Sequence, residues 1–116
     1  MAENHDEVAW TEVTAVLPSG QRTAVRISIE RPIRMEHGDW SCRVAGSPVI
    51  HCPSSGICGV DSLQALALAT RLLRFEMKHF VAKGGRLLHP DATLEEDVDV
   101  DAIFGASRDL GEDLNG

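Results

Sequence analysis

The sequence predicts an α+β domain: a four- or five-stranded antiparallel sheet, read as a meander, with one long helix packed on one face and an acidic C-terminal tail. Three observations carry this. Residues 8–52 hold β-branched and alternating apolar–polar runs separated by Pro and Gly turns. One unbroken helical pattern follows over residues 62–83, and after it the charge segregates. Residues 91–116 carry nine acidic side chains against one basic, Arg108, whereas residues 1–90 carry nine acidic and ten basic. A chain of 116 residues has room for one core, so residues 1–90 are read as a single domain and 91–116 as its tail.

Val8 to Leu17 lack a helical stripe and are rich in β-branched residues, the mark of a strand. Pro18-Ser19-Gly20 turns the chain, and from Thr23 to Glu30 the apolar Val25, Ile27 and Ile29 alternate with Arg26, Ser28 and Glu30. These two segments predict a hairpin. A third strand is expected from Trp40 to Ala45, with Trp40, Cys42 and Val44 on the core face, and a short fourth from Val49 to Cys52. Residues 53–59 are read as a loop of small residues. Asp61 is a good N-cap, Gln64 completes a capping-box spacing, and Gly84-Gly85 supplies a left-handed stop. Within this helix one stripe reads Leu63, Leu66, Ala67, Thr70, Leu73, Met77, Phe80 and Val81, and Leu68, Leu72 and Phe75 widen it. So broad an apolar surface exceeds what one sheet face covers. Arg86 to His89 form a last strand before Pro90.

No run of 18 apolar residues is present and the N-terminus is polar and acidic, which predicts neither a membrane span nor a secretory signal and gives a cytoplasmic expectation. Membrane is therefore not an expected partner. Acidic excess repels phosphate backbones, and five aromatic residues without Tyr make a poor base-stacking platform, so nucleic acid is not expected either. Cys42, Cys52 and Cys58 are odd in number and expected to be free thiols.

Three groups of residues carry candidate chemistry. His37, Cys42, His51, Cys52 and Cys58 are zinc-type donors, but they lack paired spacing, and the adjacent His51 and Cys52 point to opposite faces of an extended backbone. Cys58 stands just before the helix start, where a thiolate is favoured, with His51 or His89 as the only bases in prospect and no signature around it. Asp97, Asp99 and Asp101 have the alternation of the first calcium ligands of an EF-hand, yet Ala102 stands where the bend needs glycine and Arg108 where a bidentate glutamate belongs. The chain is expected not to be an enzyme and to need no metal or other cofactor.

The tail mixes acids with apolar residues. Glu95 and Glu96 suit the first turn of one short amphipathic helix beginning near Thr93. Leu94, Val98, Ile103 and Phe104 supply apolar anchors, and Glu95, Glu96, Asp97, Asp99 and Asp101 supply charge. These nine residues are the predicted partner-binding site. Carboxylates around a small hydrophobic anchor steer encounter with a basic protein surface and then bury the anchor.

Trp40-Ser41-Cys42-Arg43-Val44 on a strand, then Gly59-Val60-Asp61-Ser62-Leu63-Gln64-Ala65-Leu66 opening a helix, then Gly84-Gly85-Arg86-Leu87, resembles a family of small uncharacterised bacterial domains over about residues 20–88. That resemblance implies a fold and no activity. In layout, strands followed by such a helix start are also similar to antitoxins of the HicB type and to immunity proteins, which are small, acidic and non-catalytic. The functional expectation is a protein-binding module, an immunity protein or antitoxin covering a basic partner. Its rivals are a homodimer formed through the helix face and a small-molecule-binding domain using the loop around Cys58.

Overall fold

The computed structural model describes residues 6–90 and 95–105. It is α+β, with a four-stranded antiparallel sheet, a smaller three-stranded sheet and one long helix packed on them. Strands β1 (Glu7–Val16) and β2 (Arg22–Glu30) form the predicted hairpin, in register from Ala9 opposite Ile29 to Val16 opposite Arg22. The alternation of β2 holds for Val25, Ile27 and Ile29, which enter the core, and for Arg26, which stays out, but Ser28, expected on the polar face, is buried as well.

The third predicted strand, Trp40 to Ala45, is instead two strands in two sheets. β4 (Trp40–Cys42) pairs with β3 (Ile33–Arg34) and β6 (Ile57–Gly59), while β5 (Val44–Ala45) pairs with β2. The switch falls at Arg43, whose carbonyl accepts from Glu30 N–H at 2.9 Å while its guanidinium donates to the Ser54 carbonyl at 2.8 Å. Period two is kept across the switch, so Cys42 and Val44 are both buried, and pattern alone does not reveal it. Trp40 is half-buried at the core's margin.

The predicted fourth strand, Val49 to Cys52, is not a strand. Val49 and Ile50 both donate to the Gly46 carbonyl at 2.9 Å, and His51 N–H donates to the Glu76 carboxylate at 3.1 Å, so three successive donors are taken from any ladder. The strand lies one step later, in the segment read as a loop. β6 is admitted there by glycine: a Cβ on Gly59 would stand 2.5 Å from the Ala65 backbone nitrogen, against the start of the helix. The expected meander is replaced by the order β5-β2-β1-β7, in which β7 (Arg86–Leu88) returns to the outer side of β1, a Greek-key arrangement.

Helix α1 spans Ser62–Ala82. Asp61 caps it by accepting from Gln64 N–H at 2.7 Å, and the Gln64 side chain reaches back to Val60 N–H rather than to the cap's own. It ends in a Schellman motif, Gly84 N–H to the Val81 carbonyl and Gly85 N–H to that of Phe80, with Gly84 at φ +101°. Its inward face is Ala65, Ala69, Leu73, Glu76 and Met77, rotated from the predicted stripe. Small residues win there because they let the helix approach β4 and β6 closely. Leu63 and Phe75 are consequently 73% and 63% exposed. No described helix is long and apolar enough to cross a membrane.

Candidate functional site

The predicted partner-binding residues lie after Pro90. Leu94, and Thr93 where a helix was expected to begin, lie outside the described residues; Glu95 to Gly105 lie against the domain. Val98 N–H donates to the Leu87 carbonyl at 2.7 Å and His89 N–H to that of Glu96 at 3.0 Å, so the segment adds to β7. The one-turn helix α2 (Val100–Ile103) follows, capped by Asp99, whose carboxylate accepts from Ala102 N–H. Val100, which the sequence reading did not single out, is the buried residue of α2 and joins the core; Val98 and Phe104 pack against that core and Ile103 is exposed.

Three of the five described acids are engaged by the domain's own cations. Glu95 pairs with Arg22 and Arg86, Asp97 with Arg86, and Asp101 with Arg74 at 2.8 Å and Lys78 at 3.2 Å. The Arg22 hydrogen bond, with Arg86 adding to it, holds the Glu95 carboxyl below its ordinary range; Arg74 and then Lys78 do the same for Asp101. Arg86 is raised in turn, chiefly by Asp97. Glu96 and Asp99 remain exposed without such a pair among the described residues.

Beside this segment is an apolar slot of about 310 Å³. Ala9, Thr11, Ile27 and Ile29 form its sheet wall, Thr70, Leu73 and Met77 its helix wall, and Ile103 and Phe104 its end. Trp10 stands at the mouth, 55% exposed, with the Arg26 guanidinium 3.9 Å over its ring. The slot exists because Ala9 and Thr11 are too small to fill the space under the first half of β1. Of the predicted site, Ile103 and Phe104 line it.

The chemically capable residues are dispersed. Cys42 is fully buried, and burial, with Glu30 and Cys52 nearby, pushes its thiol up to about 11, so it stays protonated. All three cysteines are free; Cys52 is half-buried and Cys58 is exposed on β6. Sequence reasoning missed Glu76, a carboxylate on the inward face of α1. It accepts from His51 N–H, and His51 Nδ1 lies 3.4 Å from the same oxygen. With His79, Phe80, Lys83 and Val49 this pair lines a second hollow of about 300 Å³. Among the described residues no three His, Cys, Asp or Glu side chains converge as a metal's donor set requires.

No curated protein and no solved structure matches the chain. One family model matches residues 12–98, from the middle of β1 through the whole helix to the point where the docked segment hydrogen-bonds to β7. The chain therefore belongs to the family described as Domain of unknown function (DUF6968).

Proposed function

We propose that this domain is a non-catalytic protein-binding module whose contact surface is the slot between β1, α1 and the docked segment. One observation carries the reading: the slot is apolar, open, and bordered by exposed Trp10 and Ile103, a combination of aromatic anchor and empty volume suited to a partner's side chain. Glu95, Asp97 and Asp101 serve on this reading as staples that hold Ile103 and Phe104 in place. In its specific form the proposal is a cytoplasmic immunity protein or antitoxin that covers a basic partner, supported by the small size and the net charge of -7. The domain then needs no cofactor.

The test is capture from the native host on immobilised full chain and on Ala9→Arg, which fills the slot. A stoichiometric partner held by the first and lost by the second is the expected result; retention by Ala9→Arg places the contact elsewhere. A second reading, the homodimer, is favoured by the exposed Leu63, Phe75 and Val81 of α1. Mass-resolved chromatography over a wide concentration range decides it, since a monomer throughout excludes it.

A further inference from the structure

Strand β1 has two sides. β2 pairs along it from Ala9 to Val16, but on the other side β7 reaches only Thr14, Ala15 and Val16. From Ala9 to Val13 no described strand occupies that edge, so alternate N–H and C=O groups face outward there. Five residues span about 17 Å, the length of an ordinary strand. The segment Ala9-Trp10-Thr11 carries no Lys or Pro to blunt it, and the slot lies beneath. Along α1 a basic residue follows each residue of the slot's helix wall: Arg71 after Thr70, Arg74 after Leu73, Lys78 after Met77. At about 100° per residue this makes a cationic row beside the slot. Asp101 is the only carboxylate paired to it among the described residues, leaving the row with excess positive charge.

We propose that the open edge of β1 is a strand-addition site for an extended peptide segment that sets an apolar side chain into the slot and acidic side chains, two residues away on the same face, against Arg71 and Arg74. The proposal rests on the protein-binding reading and specifies the partner's segment. Backbone pairing supplies affinity in this mode, and the slot and the basic row supply selection. A partner that is basic overall and inserts such a segment satisfies both the chain's net charge and the local one.

The probe is a labelled peptide, Thr-Glu-Thr-Leu-Thr-Glu-Thr, titrated into the full chain by fluorescence anisotropy; its symmetry places Leu in the slot whichever way the strand runs. Saturable binding is expected, weakened about tenfold or more when Lys replaces Glu, with Arg71→Glu abolishing that preference. Arg71 is exposed, so this variant folds. Two further peptides, N-methylated at the odd or at the even residues, test the backbone mode, because only one set of N–H groups faces β1. One is expected to bind like the parent and the other about tenfold or more weaker, since its hydrogen bonds to β1 are lost. Equal binding of the two N-methylated peptides, or no saturable binding of the parent, overturns strand addition. Capture that fails with Ala9→Arg would then still support the binding module, so the two readings fail separately.

Discussion

From Thr14 to Val16, β1 meets β7 on its outer side, and Val13 and Ala15 go wholly into the core; from Glu7 to Glu12 it has β2 alone beside it, and Val8, Ala9, Trp10 and Glu12 are exposed. Both halves read as strand. What separates them is non-local: β7 is three residues long, and Leu73 and Met77 stand off from Ala9 and Thr11 across the slot. One half of the strand builds the domain and the other presents it. The largest effect is expected from Leu87→Ala. Leu87 sits opposite Ala15, is 1% exposed, and should cost about 2–5 kcal/mol in denaturant unfolding. A loss under about 1 kcal/mol would mean that β7 does not define the structural half.

Trp40→Ala comes next. A fully buried tryptophan would cost about 3–5 kcal/mol, but Trp40 is half-buried at the margin of the core, so about 2 kcal/mol is expected. Trp10→Ala, on the open half, removes an exposed ring and its cation–π contact with Arg26 and should cost less than about 1 kcal/mol. Equal losses for the two tryptophans would abolish the distinction between the halves.

What the sequence made legible was local. The β1–β2 hairpin, the helix from Asp61 to its glycine stop and the final strand follow from alternation, capping chemistry and the left-handed tolerance of Gly84, each decided within a few residues. Arg43 could not be read as a switch between sheets, because Cys42 and Val44 keep period two while their hydrogen-bond partners change. Val49 and Ile50 are as buried as a strand would make them, yet their donors go to one carbonyl and the next to Glu76. The candidate site was legible in its residues and not in its orientation. Ile103 and Phe104 do line the slot, but whether an acid faces a partner or its own chain depends on where Arg22, Arg74, Lys78 and Arg86 lie in space, far away in sequence.

The smallest expected effect is in acid, and it bears on the docked segment. Glu95 and Asp101 have carboxyls held below their ordinary values of 4.5 and 3.8 by Arg22 and Arg74 respectively. A carboxylate depressed in the folded state contributes its full stabilisation above the unfolded value and loses it as pH falls through the folded one. Docking of residues 95–105 should therefore be intact at pH 6 and weaken below about pH 4, while the β1–β2 and β1–β7 pairing, which rests on burial of Val13, Ala15 and Leu87, persists. These pairs are solvent-exposed, so strong salt should loosen the same segment at neutral pH by screening. Hydrogen exchange is the measurement: the Val98 amide, which donates to Leu87, should lose protection at low pH relative to the amides of Val13 to Val16. Asp101→Asn should show part of that loss already at pH 6. If Val98 keeps its full protection at pH 3 and in high salt, then Val100 burial alone docks the segment and the carboxylates are free for another role. If it loosens as expected, the Ile103 and Phe104 end of the slot opens with it while the doubly paired half of β1 stays closed.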